Sequence, residues 1–223
     1  MKKWISLICK LIVVLSSFIG LTLVLCNIDI VYVGGIKGLM YFTNLSNFWI
    51  GIVCLCALIM LFKGVEIKPW MYIIKLVFTV SITLTGVVYC LLLAPFMPED
   101  PWCSSSILTH IVVPLFAVVD FLVYDLEFDF KYKHSLFVLI PPIYYLGYSL
   151  IGFLLNWDFG LGENYPYFFL DWGAPVGIFG ISAELPHYLG TFYWLIILLI
   201  IVFGMGILYI IGSKVYNKIG KNR

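Results

Sequence analysis

Long runs of apolar residues, separated by short polar stretches, are the dominant pattern of this chain. Each run is about 18 to 26 residues long, and an α-helix needs roughly 20 apolar residues to cross the hydrocarbon core of a bilayer. The pattern predicts an all-α integral membrane protein with six transmembrane helices. We expect residues 1–223 to form a single six-helix transmembrane domain, with spans at about 4–26, 45–62, 70–95, 107–124, 135–155 and 188–211.

The composition excludes a water-soluble fold. Hydrophobic residues make up 63% of the 223 positions and charged residues 11%, whereas roughly one quarter of the residues in a soluble domain are charged. The formal net charge of +1 argues against nucleic acid as a partner. The run at 4–26 is longer than the roughly 7 to 15 apolar residues of a signal-peptide core, so we expect it to be retained as the first span.

The distribution of Lys and Arg predicts the orientation in the membrane, because short cytoplasmic loops carry an excess of these residues. With the N-terminus inside, all of them except Lys37 fall at or near the cytoplasmic face, and this set includes Lys10 and Lys75. We therefore expect both termini to be cytoplasmic in a multi-pass protein of the cell membrane. The loops 27–44, 96–106 and 156–187 then lie on the outer side.

The outer loop at 156–187 contains no Lys or Arg and is rich in aromatic residues. A loop that is merely solvated does not need so many apolar side chains, and aromatic rings favour the depth of the membrane interface. We expect this loop to lie in the interface or to fold over the helix ends.

A cluster of polar residues stands at the outer start of the second span. Thr43, Ser46 and Asn47 follow the i, i+3, i+4 spacing and therefore share one helical face. Polar side chains within a bilayer are costly, so they are candidates for a functional site. The alternative is helix capping, since Ser, Thr and Asn satisfy the free N–H groups of a first turn.

His110 stands at a similar depth, at the outer start of the fourth span. Pro114, four residues later, has no N–H, so the carbonyl of His110 loses its helical partner and we expect the helix to kink beside the imidazole. A histidine at a span end is also a common interfacial residue, and that interpretation stays open. Asp120, further along the same span, is expected to face other helices and to pair or stay protonated.

Three motifs of this chain resemble a known family of membrane proteins. They are Tyr41-Phe42-Thr43-Asn44-Leu45-Ser46-Asn47, then Leu108-Thr109-His110-Ile111-Val112-Val113-Pro114 continuing to Asp120, and Tyr165-Pro166-Tyr167-Phe168-Phe169-Leu170-Asp171. The family is that of the androgen-induced-gene and androgen-dependent TFPI-regulating proteins, with its bacterial six-span relatives. The resemblance covers most of the chain from Tyr41 onward, and it implies the cytoplasmic membrane of a bacterium as the location.

The resemblance implies an intramembrane hydrolase that acts on fatty acid esters of hydroxy fatty acids, with Thr43 as the nucleophile and His110 as its base. A threonine hydroxyl needs a neighbouring base, and a neutral imidazole is suited to accept its proton. The implied partner is a membrane lipid or fatty acid ester. Neither a cofactor nor a metal is implied.

Other residues of the first motif are expected to support the reaction. The free N–H groups at the start of the second span, aided by Asn44 or Asn47, are candidates for an oxyanion hole. Ser46 lies on the same turn and joins them as a supporting residue.

The third motif supplies candidates from the outer loop. Asp171 is a candidate to orient His110, while Tyr165 and Tyr167 are candidates to wall a lipid-accessible cavity. A separation of Asp171 from His110 beyond hydrogen-bond reach would remove the first of these roles.

Two other functions stay open. A transporter or channel would line a polar path with Thr43, His110, Asp120 and Asp171, although ion paths usually hold several buried ionisable residues. A non-catalytic membrane scaffold or sensor predicts that Thr43 and His110 point to different sides of the bundle. A cavity open sideways to lipid at the level of Thr43 favours hydrolysis, and a continuous aqueous route past Asp120 favours transport.

Overall fold

The computed structural model describes residues 2–97, 100–183 and 188–221. Within those ranges the chain is helical, and β-type pairing is limited to two isolated bridges. Among the described residues, six helices are long and apolar enough to cross a membrane, which agrees with the predicted number of spans. They are α1 (Lys2–Leu25), α2 (Phe42–Lys63), α3 (Pro69–Phe96), α4 (Ser104–Val123), α5 (Tyr132–Leu154) and α6 (Thr191–Lys221).

The observed helices begin within three residues of the predicted spans, and the largest departure is at the end of α6. Helix α2 begins at Phe42 and not at 45, because Tyr41 has an extended backbone and its carbonyl accepts the N–H groups of Asn44 and Leu45. Helix α6 continues to Lys221 and not to 211. The apolar run predicts only the part of a helix that lies in the hydrocarbon core. Because a helix can continue beyond that core, hydropathy alone misses this extension.

The two ends of the bundle are held by different contacts. At one end, which we call the terminal end, Lys2 pairs with Glu127 at 2.8 Å and with the hydroxyl of Tyr216. At the opposite end, which we call the loop end, Lys37 pairs with Asp158 at 2.5 Å. The start of α1 and the last turns of α6 therefore lie at the same end of the bundle.

Helix α3 is central to the bundle because it packs against α2, α4, α5 and α6, whereas α1 packs against α2 and α4. Helices α5 and α6 meet near the terminal end, where a Cβ on Gly206 would lie 2.9 Å from Val138. The part of α5 from Ile140 to Leu154 hardly touches α6. The two helices therefore separate towards the loop end.

Two of the basic residues that the charge pattern assigns to one face lie inside the bundle. Lys10 and Lys75 are buried, with 0% and 3% of their surface exposed. Lys10 Nζ lies 2.8 Å from Asp120 Oδ1, and Lys75 pairs with Asp120 and, at 2.7 Å, with Asp125. Both lysines lie towards the terminal end, but two carboxylates hold them inside the bundle and not at its surface. The expectation that Asp120 faces other helices and pairs is confirmed.

The aromatic loop folds over the helix ends, which was one of the two predicted arrangements. Phe159, Tyr167, Phe169 and Leu170 are buried, and the rings of Tyr167 and Phe169 stack with centroids 5.0 Å apart. Positions 184–187, the last four of the predicted loop, lie outside the described residues. The loop thus covers the loop end of the bundle directly above the start of α2.

Candidate functional site

Thr43 lies in the first turn of α2, where a side chain of the aromatic loop meets it. The hydroxyl of Tyr167 is 3.5 Å from Thr43 Oγ1, and it accepts the N–H of Thr43 at 3.4 Å. Tyr167 is buried, and this burial raises its pKa to about 12. Its hydroxyl therefore stays protonated and can donate a hydrogen bond towards Thr43.

Ser46 and Asn47 support Thr43 from the next turn of α2. Both donate to the Thr43 carbonyl, at 2.9 and 2.8 Å. Ser46 also bonds the hydroxyl of Thr85 on α3 at 2.8 Å, and Asn47 donates to the carbonyl of Thr109 on α4 at 3.1 Å. The shared helical face is thus confirmed, and the polar cluster joins α2 to α3 and α4.

The capping interpretation of this cluster is wrong. The N-cap of α2 is Tyr41, and it makes no side-chain cap hydrogen bond. Because the helix begins three positions earlier than the apolar run, Thr43 and Ser46 lie inside it. Their hydroxyls therefore contact other parts of the protein: Ser46 bonds Thr85 on α3, and Thr43 lies beside Tyr167 of the aromatic loop.

Asn44 and Asn47 do not offer their amide groups to the Thr43 hydroxyl. Asn44 Nδ2 donates to the carbonyl of Gly38 at 2.7 Å, which ties the short helix Gly35–Gly38 to α2. Both bonds that Asn47 makes through its N–H groups go to carbonyls, as described above. The expected help of these two amides in an oxyanion hole is absent from this arrangement. The side-chain group that lies beside the Thr43 hydroxyl is the hydroxyl of Tyr167.

His110 lies in a π-helical segment of α4, Leu108–Val112, just before Pro114. This departure from α-helical geometry is where the distortion was expected. His110 Nδ1 is 3.0 Å from the Ser106 carbonyl and 3.1 Å from Thr109 Oγ1, and Thr109 Oγ1 itself donates to Ser105. Nδ1 is therefore assigned as the protonated nitrogen, which leaves the lone pair of a neutral imidazole on Nε2. That is the form that a general base requires.

A narrow apolar cavity of about 60 Å³ lies beside Thr43, between α2, α3, α5, α6 and the aromatic loop. Of the predicted site residues, Thr43 and Tyr167 line it, and Tyr165, His110 and Asp171 do not. The lining residues are Phe42, Thr43, Leu84, Thr85, Val88, Leu93, Pro142, Tyr145, Leu146, Tyr167, Phe169, Leu170, Leu195, Leu198 and Leu199.

Thr43 and His110 occupy adjacent flanks of α3. Thr85 faces the cavity, whereas a Cβ on the next residue, Gly86, would lie 2.9 Å from the His110 carbonyl. Among the described residues no hydrogen bond joins Thr43 to His110. Asn47 connects the two flanks through its bonds to the carbonyls of Thr43 and Thr109.

Tyr165 and Asp171 do not lie where their predicted roles require them. Tyr165 is half-buried, lies beside Glu163, and has a pKa raised to about 12 by burial. The Asp171 carboxylate accepts the N–H of Gly173 at 2.9 Å. Within the part of the chain that the structure describes, no hydrogen bond joins Asp171 to His110, so the orienting role predicted for Asp171 has no contact to support it. The residue of the aromatic loop that contacts Thr43 is Tyr167.

A second group of ionisable side chains, formed by Lys10, Lys75, Asp120 and Asp125, lies towards the terminal end. Burial raises the pKa of the Asp125 carboxyl, and the charge of Lys75 opposes that shift. In the described ranges, no group of three or more His, Cys, Asp or Glu side chains is placed to hold a metal ion. Asp120 was a candidate from its position in the sequence, whereas Lys10 and Lys75 were not, because only the packing of the helices brings them to it.

Comparison of this chain with models of protein families, with curated proteins and with solved structures finds no match. The family resemblance of the three motifs therefore stays an expectation. Any function has to be argued from the residues and geometry described above.

Proposed function

We propose that this protein is an intramembrane hydrolase of lipid esters, similar to the hydrolases of fatty acid esters of hydroxy fatty acids that its motifs resemble. The main support is the position of Thr43, whose hydroxyl meets that of Tyr167 at the wall of an otherwise apolar cavity. In a protein with six membrane-spanning helices, such a hydroxyl is accessible to a lipid chain. An ester carbonyl is the group of such a lipid that a hydroxyl attacks.

In the proposed reaction, Thr43 Oγ1 attacks the ester carbonyl, and His110 Nε2, brought within reach of Thr43 when the ester binds, takes the hydroxyl proton. His110 returns the proton to the leaving alcohol, which gives an acyl-threonine. Water then adds to this acyl group with His110 again as base, and the free acid leaves as the Thr43 hydroxyl is restored. The oxyanion of each addition accepts hydrogen bonds from Tyr167 O–H and the Thr43 N–H.

The indirect connection between Thr43 and His110 fits a resting state without substrate. Catalytic hydrogen bonds are often long or poorly aligned until the substrate is bound. Asn47 bonds the backbone carbonyls of Thr43 and Thr109, so α2 and α4 are linked next to the nucleophile and the base. The Nε2 atom of His110 makes no hydrogen bond with any described residue, which leaves its lone pair available.

Transport has less support than hydrolysis. A proton or ion path needs an ionisable group that is free to bind its cargo. Asp120, the deepest carboxylate, is fully buried and paired with both Lys10 and Lys75. The second candidate function is therefore acyl-lipid binding without chemistry, which the position of His110 outside the cavity favours.

We further propose that the terminal end faces the cytoplasm and that the protein resides in the cytoplasmic membrane of a bacterium. Removing Lys10 and Lys75 from the basic residues of the terminal end leaves the asymmetry intact, because exposed lysines such as Lys3, Lys63 and Lys133 remain there. In this orientation Thr43 lies in the outer half of the bilayer.

The proposal is tested with a fluorophosphonate probe on the purified, detergent-solubilised protein. We compare wild type with Thr43→Val, which replaces only the hydroxyl by a methyl group, and with His110→Ala. The matched control is Thr83→Val, the same change on α3 at a hydroxyl that bonds Tyr209 and does not line the cavity. Size-exclusion profiles and thermal midpoints show which variants are folded.

The expected result is covalent labelling that is lost in Thr43→Val and His110→Ala and kept in Thr83→Val. The mass of the labelled peptide should place the adduct on Thr43. A folded wild type that stays unlabelled would reject the hydrolase and leave lipid binding. Labelling that survives in Thr43→Val would reject Thr43 as the nucleophile.

A further inference from the structure

The apolar cavity lies in the space where α5 and α6 separate. The two helices are in contact at Val138 and Gly206, nearer the terminal end. From there towards the loop end each packs on α3 and hardly on the other. The cavity fills this separation, with Pro142 and Leu146 on one side and Leu195 and Leu198 on the other.

The cavity has a closed inner wall and an outer wall that faces the bilayer. On the inner wall Leu84, Tyr145 and Leu170 are at most 6% exposed. On the outer wall Leu146 and Leu198 are only half-buried, and their helices carry exposed apolar side chains near them, such as Ile143 and Ile200. In a membrane, the neighbours of those exposed side chains are lipid tails, so the space between α5 and α6 is continuous with the hydrocarbon core.

The polar groups of the cavity are gathered at its loop end. Thr43, Thr85 and Tyr167 carry hydroxyls there, whereas the α6 side of the lining is all leucine. Among the described lining residues none is charged. A phosphate or other charged head group would lose its hydration without finding an ionic partner, which is strongly unfavourable in such surroundings. The lining therefore fits a neutral polar group at one end and hydrocarbon at the other.

We propose that the separation between α5 and α6 is the entrance and the seat for one unbranched acyl chain, which moves in sideways from the bilayer. The ester group of this chain lies beside Thr43, and its hydrocarbon lies between Leu146 and Leu198. These two leucines set the width of the seat and are specificity-determining residues. The inference rests on the proposed function for the ester, and the seat itself is testable without any turnover.

The test uses the methyl ester of hexadecanoic acid with a diazirine in mid-chain and a terminal alkyne, in phosphatidylcholine vesicles. All chains carry Thr43→Val, so the ester is not consumed and labelling reports binding alone. Leu198→Trp narrows the seat and Leu198→Ala widens it. Ile197→Trp is the matched control, because it places the same ring on the adjacent, lipid-facing position of α6, where the side chain is 39% exposed.

After illumination, we expect peptides of α5 and α6 around Leu146 and Leu198 to carry most of the label. Labelling should fall about tenfold in Leu198→Trp, since excluding about two CH₂ groups from the seat suffices for that factor. It should persist in Ile197→Trp and in Leu198→Ala. Label spread evenly over the lipid-facing helices, or labelling equal in Leu198→Trp and Ile197→Trp, would overturn the inference. If Leu198→Trp does not fold, Leu198→Ala provides the test. The inference is then overturned if Leu198→Ala binds a methyl-branched analogue of the probe no better than its parent chain does.

The two proposals fail in different ways. If the Thr43→Val chains are labelled in the seat but the wild type forms no fluorophosphonate adduct on Thr43, the protein binds acyl chains and is not a hydrolase, so the seat stands. If the wild type forms the adduct but the Thr43→Val chains carry no label between α5 and α6, the protein is a hydrolase whose substrate arrives by another route, so the seat is rejected.

Discussion

The ring of His110 stacks on the ring of Tyr89, with centroids 3.5 Å apart and planes inclined by 16°. Both residues lie in π-helical segments, one in α4 and the other in α3. Pro114 and Pro95 follow these segments, and a proline removes a donor and crowds the carbonyl four residues earlier. The wider π turn accommodates that irregularity, and such turns are frequent at functional sites. The stack fixes the plane of the imidazole.

We predict that Tyr89→Leu slows fluorophosphonate labelling of Thr43 severalfold, because the imidazole loses the ring that holds its plane. An aromatic pair of this kind contributes about 0.5–1.5 kcal/mol. Tyr89→Phe keeps the stack and loses the hydrogen bond to the Pro101 carbonyl, so it should label at nearly the wild-type rate. Labelling rates of the two variants decide the matter. Equal slowing in both would assign the effect to the hydroxyl, and no slowing in either would show that the stack does not position His110.

The contact of Gly86 with α4 supports a second prediction. A Cβ at Gly86 would lie 2.9 Å from the His110 carbonyl and 3.2 Å from Pro114. Gly86→Ala should therefore push α3 from α4 and destabilise the fold by about 1–3 kcal/mol, as overpacking does. Gly147→Ala is the control, since nothing lies within 4 Å of a Cβ there and alanine favours the helix. Unfolding titrations in mixed detergent should rank Gly86→Ala well below the control; equal stabilities would contradict the close approach.

The proposed orientation in the membrane is testable at two exposed lysines that lie at opposite ends of the bundle, Lys37 and Lys133. In a chain whose six cysteines are changed to alanine, Lys37→Cys should react with a membrane-impermeant maleimide in intact cells. Lys133→Cys should react only after the membrane is permeabilised. The reverse pattern would place the terminal end outside. Modification of both in intact cells would mean mixed orientation.

The number of helices and the polar cluster were predictable because they depend on local patterns. Apolar runs set the spans, and the i, i+3, i+4 spacing put Ser46 and Asn47 under the Thr43 carbonyl. The partner of the Thr43 hydroxyl, Tyr167, lies 124 positions away in a loop whose fold no periodicity describes. Spacing in the sequence identifies candidate residues. Contacts between residues that are far apart in the sequence depend on how the helices pack.

The two buried lysines show the same limit for charge. Counting rules place Lys10 and Lys75 at the membrane surface because a lone ammonium is costly in hydrocarbon. The rule assumes that each charge is alone. Lys10 is 110 positions from Asp120, and Lys75 is 45 positions from it, so nothing in the local sequence reveals the pairing. Packing of α1, α3 and α4 around Asp120 replaces hydration by ion pairs.

The last prediction follows from that replacement. Asp120→Asn removes the charge that Lys10 and Lys75 share, while Ser6 and Asp125 cannot neutralise both ammonium groups. Removing one partner of a buried ion pair costs about 3–5 kcal/mol, because the remaining charge keeps its desolvation penalty. We expect Asp120→Asn to lower the unfolding midpoint strongly, and a further Lys10→Met to restore part of the loss.

The matched control for this prediction is Asp158→Asn, the same change in an exposed pair with Lys37. Water and salt screen such a pair, so its removal should hardly move the midpoint. Unfolding titrations of the variants under one detergent condition provide the comparison. If Asp120→Asn were as mild as Asp158→Asn, the buried lysines would have to be reached by water, and the closed cluster that argues against an ion path would be lost.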